Sequence, residues 1–256
     1  MSLASNTERR CSPSVGPYGG AFFDAIEATS IASARAIVPL VQDLTPFRSV
    51  VDVGCGRGAW LSVFEEYGAE TIVGYDGEYI DRSRLLIPTE CFRSAELTKP
   101  LAVKENFDLA VCLEVGEHLP PNAASRLVNV LTACAPMVLF SAAIPGQRGT
   151  RHINEQWPQY WQRLFADHGF VRLDPIRPLI WRDLSVAWYY KQNIFLYAHH
   201  DRIKSNPVLE QERTIAEASH YELIHSDVLS QYTSLRGVLA SIPGAIRRAF
   251  TRRLFS

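Results

Sequence analysis

The sequence has no excess of charge of either sign. Its 256 residues include 26 lysines and arginines and 27 aspartates and glutamates, which leaves a net charge of −1 at pH 7. A chain that neutralises a phosphate backbone needs a basic excess, so we expect nucleic acid to be an unlikely partner. The sequence also has no internal repeat and no low-complexity tract, and 47% of its residues are hydrophobic. This composition is typical of one well-buried α/β domain with an appendage.

Cysteines are few and show no metal-binding spacing. Five are scattered along the chain without a C-x-x-C pair, which is typical of small core residues in a reducing compartment. No hydrophobic run approaches the roughly 20 residues that a membrane-spanning helix needs. The first residues, which include Glu8, Arg9 and Arg10, lack the apolar segment of a signal peptide. We therefore expect a cytoplasmic protein.

The patterning predicts three parts. Residues 1–18, rich in proline, glycine and serine, are predicted to form a flexible arm, and residues 19–203 carry the strands and helices of the main domain. Residues 204–256 are predicted to form a helical extension, whose end places four arginines among Ile, Phe and Leu. Such a basic amphipathic tail can contact an anionic membrane surface or an acidic partner. Peripheral membrane association and a solvated helix end are therefore alternative expectations for this tail.

The most informative stretch is Val50–Trp60. A short β-branched run ends in an acid, three glycines follow at alternating positions, and apolar residues then recur at helical spacing. A strand, a tight turn and a helix in this order form a nucleotide-binding turn. Glycines permit backbone angles closed to other residues and let a ligand approach the main chain. We therefore predict that Gly54, Cys55 and Gly56 contact a cofactor.

Two classes of cofactor fit this turn. Residues 54–59 also satisfy the dinucleotide fingerprint, with alanine as the last small residue. Asp52, however, precedes the first glycine, where a carboxylate suits a cationic amino group and repels a diphosphate. This position predicts that Asp52 helps to bind S-adenosylmethionine rather than a nicotinamide dinucleotide.

A second acid follows at the end of the next predicted strand. Thr71–Asp76 has the pattern of a buried strand, and Asp76 lies 20 residues after Gly56. A carboxylate at this position can accept hydrogen bonds from both hydroxyls of a ribose. Gly77 follows directly, and a small residue there leaves room for the adenine. Asp76 and Gly77 are therefore predicted to bind the cofactor.

Polar residues also follow the predicted fourth strand, Phe107–Leu113. Its continuous apolar run is typical of a strand covered by helices on both faces. Glu114, Glu117 and His118 come at its carboxyl end, where ligands bind in open α/β sheets. With these motifs in this order between about residues 48 and 200, the chain resembles the class I S-adenosylmethionine-dependent methyltransferases.

The resemblance implies a doubly wound, Rossmann-like α/β fold with a seven-stranded, mostly parallel sheet and an antiparallel last strand. It implies S-adenosylmethionine as the cofactor, with Glu114 among its contacts. Thr89–Phe92 is predicted as a short third strand. Ser94–Leu97 then occupies the place where the family presents an Asp-Leu pair to the adenine, so Glu96 and Leu97 are candidate cofactor contacts. Glu96 is one methylene longer than the usual residue, and a solvated loop acid is its alternative role.

The loop Ser141–Trp157 is crowded with hydrogen-bonding side chains. It follows the predicted fifth strand, on the sheet edge that faces the cofactor, and leads into an aromatic helix. Connecting loops rarely need so many donors and acceptors, so we predict that Gln147, Asn154, Glu155 and Trp157 bind the methyl acceptor. Aromatic residues between 180 and 190 can wall a sugar or another ring. Two further strands are predicted at Phe170–Leu173 and at residues 192–198.

Methyl transfer from a sulfonium is an in-line displacement, and a hydroxyl acceptor must lose its proton. Histidine is the natural base near neutral pH, so His118 and His152, with Glu117 beside them, are the candidate catalytic residues. The favoured function is transfer of a methyl group from S-adenosylmethionine to a small-molecule or glycan acceptor, with a hydroxyl oxygen preferred and no metal required. The loop and Trp188–Ile194 also look like uncharacterised bacterial methyltransferases that accompany surface-glycan and natural-product assembly enzymes.

Several alternatives stay open. The spacing Glu114-x-x-Glu117-His118 also resembles the small-RNA 3′-end 2′-O-methyltransferases, in which two such acids and two histidines hold a divalent metal. His152 would then be the fourth ligand, although the charge balance and the lack of an RNA-binding module disfavour this function. Quinone-ring O-methyltransferases share the spacing as well. A non-catalytic cofactor-binding scaffold and a nicotinamide-dependent oxidoreductase are the remaining alternatives.

Overall fold

The structure is a computed structural model that describes residues 20–218 and 224–226. The predicted arm at residues 1–18 and the arginine-rich tail lie outside the described residues. The described chain forms one seven-stranded sheet, and its strands are β1 Ser49–Val53, β2 Thr71–Asp76, β3 Phe92–Ser94, β4 Leu109–Leu113, β5 Met137–Ser141, β6 Phe170–Leu173 and β7 Phe195–His199. Its helices are α1 Gly20–Leu44, α2 Ala59–Glu66, α3 Pro121–Cys134, α4 Pro158–Ala166, α5 Arg177–Ile180, α6 Trp188–Asn193, α7 His200–Lys204 and α8 Pro207–Ala218.

The strand order is β3-β2-β1-β4-β5-β7-β6. Neighbouring strands from β3 to β5 are parallel, whereas β7 is antiparallel to both β5 and β6. The predicted mostly parallel sheet with an antiparallel last strand is therefore confirmed. The chain reverses its direction of winding between β1 and β4, and such a switch point opens a ligand crevice at the carboxyl ends of the two strands.

Helices cover both faces of the sheet. The buried residues of α1, α2 and α8 belong to one apolar cluster, and those of α3 and α4 belong to the other. Strand β4 shows how one segment serves both clusters, since Leu109 and Val111 join the first and Ala110 and Cys112 join the second. Successive side chains of a strand point to opposite faces, which is why this strand is apolar at every position.

Two segments differ from the sequence-based expectation. Thr89–Cys91, predicted as strand together with Phe92, forms a single 3-10 turn after Pro88, and β3 begins only at Phe92, which pairs with Gly74. Residues 192 and 193, predicted in the last strand, instead end helix α6. Short apolar runs do not distinguish a strand from a helical turn, so the pattern alone placed these boundaries wrongly.

The described part of the predicted C-terminal extension packs on the main domain. Helix α8 lies against β6, Ile203 and Leu209 are buried in the first cluster, and the Asn206 side chain donates a hydrogen bond to the Leu44 carbonyl at 3.1 Å. The division of the chain at residue 204 stays a prediction. No helix in residues 20–218 combines the length and apolar character needed to cross a membrane.

Candidate functional site

A cavity of about 1110 Å³ opens at the carboxyl ends of β1, β2 and β4. Its walls come from seven segments: the glycine turn after β1, the end of β2, the end of β3 with the residues after it, the end of β4 with the residues after it, the loop after β5, and parts of α1 and α6. Ten predicted site residues between the glycine turn and the turn after β4 line this cavity, and Asp52 lies behind it. The position matches the switch point of the sheet.

The glycine turn is shaped by backbone hydrogen bonds. The amides of Gly54 and Cys55 both donate to the Tyr75 carbonyl, at 2.7 and 3.1 Å, and the Gly56 amide donates to a carboxylate oxygen of Asp76 at 2.7 Å. Gly54 has a φ of 93°, and a Cβ at this residue would lie 2.3 Å from a methyl carbon of Val115. Gly54, Cys55 and Gly56 all line the cavity, where the sequence placed them.

Replacement of Gly54 by alanine should destabilise the protein for two separable reasons. A left-handed backbone costs a residue with a side chain about 1–3 kcal/mol, and the contact with Val115 should add about 1–3 kcal/mol of overpacking. Gly68 is the matched control, since its φ is 99° and a Cβ there meets nothing within 4 Å. In urea unfolding, Gly54→Ala should therefore lose clearly more stability than Gly68→Ala. Equal losses would contradict the role assigned to Val115.

Asp76 connects the glycine turn to the end of β2. Its side chain is buried and accepts hydrogen bonds from the Gly56 amide, from the Gly77 amide at 2.7 Å, and from the Tyr79 hydroxyl. Burial raises the pKa of Asp76, and these three hydrogen bonds oppose the rise. Asp76 and Gly77 both line the cavity. Tyr79, which the sequence analysis did not single out, covers this part of the wall.

Asp52 occupies a different position from the one predicted. It is buried within β1, paired with Gly74 of β2 and Val111 of β4, and does not line the cavity. Burial, followed by the neighbouring charge of Asp76, raises the pKa of Asp52 well above its ordinary value. The residue therefore lies behind the glycine turn. Because a strand residue two positions before a turn still belongs to the sheet, its side chain is directed by the pleat.

Glu96 and Leu97 line the cavity on the side of β3. The neighbouring Ala95 amide donates to the Asp76 carbonyl at 2.7 Å, which keeps this segment next to the end of β2. Glu96 itself is exposed, accepts a hydrogen bond from the Thr98 hydroxyl at 2.7 Å, and pairs with Lys99 at 2.5 Å. Its carboxylate is thus partnered locally. Both of its predicted roles, an adenine contact and a loop acid, fit this arrangement.

Glu114 follows β4 with a φ of 55°, a conformation that few residues with side chains adopt. Its amide donates to the carbonyl and to the hydroxyl of Ser141, at 3.0 and 3.1 Å. Its carboxylate accepts hydrogen bonds from the side-chain amides of Gln147 and Asn193, each at 3.0 Å. Burial raises the pKa of Glu114, whereas these hydrogen bonds act in the opposite direction. Asn193 was not predicted as a site residue.

Glu117, His118 and His152 come together on the acceptor side of the cavity. Each offers a ligand atom, and the three atoms lie within 4.8 Å of one another. The two imidazole rings meet edge to face with centroids 4.9 Å apart. Burial, followed by the neighbouring His152, lowers the pKa of His118 to about 4, so its imidazole is neutral at pH 7.

Glu117 is the most unusual member of this group. Its side chain is fully buried, and neither carboxylate oxygen makes a well-formed hydrogen bond to a described residue, although the Glu117 and Ala143 amides and the Glu114 side chain lie near it. Burial and the nearby charge of Glu114 raise the pKa of Glu117 well above its ordinary value. Buried polar atoms are nearly always paired in folded proteins. A buried carboxylate without a well-formed hydrogen bond, beside two histidines, therefore makes this group a candidate binding place.

The loop Ser141–Trp157, which was predicted to bind the methyl acceptor, lies only partly at the cavity surface. Gln147 and His152 line the cavity, but Asn154, Glu155 and Trp157 do not. Asn154 is buried and donates its side-chain amide to the Gly116 carbonyl at 3.3 Å, while Glu155 accepts from loop amides and contacts His152. Trp157 lies outside the cavity at the start of α4. The prediction of these three as acceptor contacts is therefore corrected to roles in shaping the loop.

Several cavity residues were missed or left undecided by the sequence. Arg57, inside the glycine motif, is 4% exposed and pairs with Glu27 of α1 at 3.3 Å, which ties this helix to the turn. Trp188, Tyr189 and Tyr190 of α6 add an aromatic wall. Arg57 could have been recognised as the only cation within the glycine motif. The aromatic residues stood out in the sequence, but their pattern does not distinguish residues of a cavity wall from residues of the core.

Comparison with known proteins agrees with this geometry. A family model described as a methyltransferase domain matches residues 26–182, more than half of the chain. Two curated relatives, ubiquinone biosynthesis O-methyltransferases from serogroup A and serogroup C strains of Neisseria meningitidis, are each 32% identical over 101 residues. That match covers 36% of this chain and 40% of each relative. The chain thus matches less than half the length of these curated relatives.

Solved structures show the same fold. A sugar N-methyltransferase from Streptoalloteichus superposes with a TM-score of 0.55 and 13% identity, covering 78% of this chain and 99% of that one. An S-adenosylmethionine-bound amino pentose methyltransferase from Micromonospora echinaspora, involved in calicheamicin biosynthesis, superposes with a TM-score of 0.52 and 13% identity. That match covers 72% of this chain and 98% of the other.

Proposed function

Since the chain belongs to the methyltransferase-domain family and uses S-adenosylmethionine as its cofactor, we propose that it methylates a hydroxyl oxygen of a small molecule or glycan. One observation carries the proposal. A single cavity joins the glycine turn and Asp76, which suit the cofactor, to the buried group Glu117, His118 and His152. A small-molecule or sugar acceptor is supported by the relatives, which are a ubiquinone biosynthesis O-methyltransferase, a sugar N-methyltransferase and an amino pentose methyltransferase.

The reaction divides between the two sides of the cavity. On the cofactor side, Asp76 would accept hydrogen bonds from the ribose hydroxyls, and the glycine turn would hold the methionine part of S-adenosylmethionine, which supplies the methyl group. On the other side, the acceptor hydroxyl approaches the methyl carbon in line with the sulfur. The C–O bond forms as the C–S bond breaks, S-adenosylhomocysteine leaves, and the acceptor proton passes to a histidine of the buried group.

A second candidate function is favoured by the buried carboxylate of Glu117. The residues fit a divalent cation, because one carboxylate and two imidazoles within 4.8 Å form a mixed oxygen and nitrogen ligand set. Glu117, His118 and His152 would hold such an ion, which supplies Lewis acidity toward an acceptor hydroxyl. These are three of the four ligands that the resemblance to metal-dependent RNA 3′-terminal 2′-O-methyltransferases implies. The fourth, Glu114, lies outside the group and accepts hydrogen bonds from Gln147 and Asn193. The even charge balance of the chain supports the small acceptor instead.

Transfer of label from S-adenosylmethionine tests both candidates. The protein is incubated with nucleotide-sugar, phenolic and small-RNA panels, with EDTA or with added Mn²⁺. We expect label in a sugar or phenol. Label that appears in small RNA only when Mn²⁺ is present would reverse the order of the two candidates. Cofactor binding without any transfer, measured by calorimetry, would support the non-catalytic scaffold instead.

The His118→Ala variant should bind S-adenosylmethionine normally and transfer methyl groups about 10²- to 10⁴-fold more slowly, which is the usual range for loss of an acid or base. His168, an exposed residue outside the cavity, provides the matched control. His168→Ala should leave both binding and transfer unchanged. If His118→Ala abolishes cofactor binding, the residue belongs to the cofactor half of the site.

A further inference from the structure

Glu155 contacts a candidate catalytic histidine without lining the cavity. One of its carboxylate oxygens accepts a hydrogen bond from the Arg148 amide at 2.6 Å and lies 3.0 Å from His152 Nδ1, within hydrogen-bond distance. Its other oxygen accepts from the Gly146 amide at 2.5 Å. The two side chains are mostly buried, with 11% of His152 and 18% of Glu155 exposed. This contact is therefore shielded from solvent.

The hydrogen bonds of Glu155 determine which nitrogen of His152 carries hydrogen. Each of its carboxylate oxygens accepts from a backbone amide, Gly146 on one side and Arg148 on the other, and such donors favour the ionised carboxylate. An ionised carboxylate has no hydrogen to donate. His152 Nδ1 must therefore be the donor. In a neutral imidazole, this leaves Nε2 with the free lone pair.

We infer that Glu155 is a positioning residue for His152, an inference that rests on the proposed methyl transfer for its kinetic consequence. Glu155 holds the imidazole in the Nδ1–H tautomer and in a fixed orientation, so that Nε2, which lies beside Gly149 of the cavity wall, is the nitrogen with the free lone pair. A carboxylate behind a histidine commonly serves this purpose, both for bases and for ligand imidazoles. Glu155 thus acts on the acceptor through His152.

The Glu155 carboxylate also fixes the position of His152 through the conformation of the loop. Arg148 and Arg151 have φ values of 60° and 59°, so the chain between them follows a course that few non-glycine residues adopt. Glu155 accepts hydrogen bonds from the Gly146 and Arg148 amides at the start of this segment and contacts the His152 imidazole near its end. The amides of Ile153 and Asn154 then donate to the Glu117 carbonyl, at 2.9 and 3.0 Å. The loop is therefore closed around the buried group.

Nitrogen-15 NMR of the imidazole tests the tautomer directly. In the wild-type protein, labelled His152 should show a protonated Nδ1 and an unprotonated Nε2 at a pH where the ring is neutral. In Glu155→Gln, the amide can also donate, so the Nδ1–H tautomer should lose its dominance. A wild-type His152 with hydrogen on Nε2 alone would overturn the inference. This measurement needs no methyl acceptor, so it remains decisive even if the proposed activity fails.

A double-mutant cycle separates positioning from simple loop support. Glu155→Gln should lower kcat about 10- to 100-fold, the range found for outer-shell partners of functional histidines, with little change in the KM for S-adenosylmethionine. In a His152→Ala background, the same change should lower kcat less than about 3-fold, because the residue it acts through is already gone. An undiminished loss in that background would assign Glu155 to the loop alone.

Discussion

Asp76→Ala should lose most of its affinity for S-adenosylmethionine. Two hydrogen bonds from ribose hydroxyls to an ionised carboxylate contribute together about 3 kcal/mol or more, which corresponds to a rise in Kd of at least about 100-fold. The substitution also removes the carboxylate that accepts hydrogen bonds from the Gly56 and Gly77 amides. Isothermal titration calorimetry with S-adenosylmethionine and S-adenosylhomocysteine measures the loss.

Two control variants separate the ribose contact from the support of the turn. Tyr79→Phe removes only the hydroxyl that donates to Asp76, so it should change the Kd much less than Asp76→Ala. Asp52→Asn neutralises a buried acid that does not reach the cavity, and it should also leave most of the affinity intact. If Asp52→Asn weakens binding as much as Asp76→Ala, the charge behind the turn matters more than direct ribose contact. Circular dichroism should show that all three variants remain folded.

The parts of the site that the sequence predicted well depend on local chain chemistry. Gly54 and Gly56 are needed because the backbone itself turns there, and Asp76 ends a strand whose boundaries the apolar pattern defines. A strand end, a turn and the next helix follow one another within a few residues, so their arrangement needs little information from the rest of the chain. Turn chemistry of this kind can be predicted from sequence because it is local.

The acceptor side shows why the remainder could not be predicted. Asn154 and Glu155 have the same polar character whether they bind a substrate or satisfy backbone groups of their own loop. The structure shows the second use, and only the three-dimensional course of the loop decides between them. Asn193 reaches Glu114 from 79 residues further along the chain. Such a contact depends on how α6 packs against the end of β4, which no local pattern contains.

Arg177→Met should destabilise the protein by about 3–5 kcal/mol, the usual cost of breaking a buried ion pair. The guanidinium is 1% exposed and binds both carboxylate oxygens of Asp174, with the shortest contact at 2.6 Å. It also donates to the Gln192 carbonyl at 2.9 Å and lies 4.2 Å from the ring centre of Phe195. Removing it leaves the Asp174 carboxylate buried without its countercharge. Chemical unfolding in urea measures the loss.

The double variant Arg177→Met, Asp174→Leu should recover most of that stability, because an apolar pair of similar size leaves no unpaired buried charge. The double variant is expected, however, to regain its stability without regaining its affinity for S-adenosylmethionine. The contact from Arg177 to the Gln192 carbonyl is absent in both variants, and Gln192 directly precedes the residue that binds Glu114. The double variant should therefore fold stably and still bind S-adenosylmethionine more weakly than the wild type. Full recovery of both properties would mean that packing alone places α6 and that the buried pair contributes nothing to the geometry of the cavity.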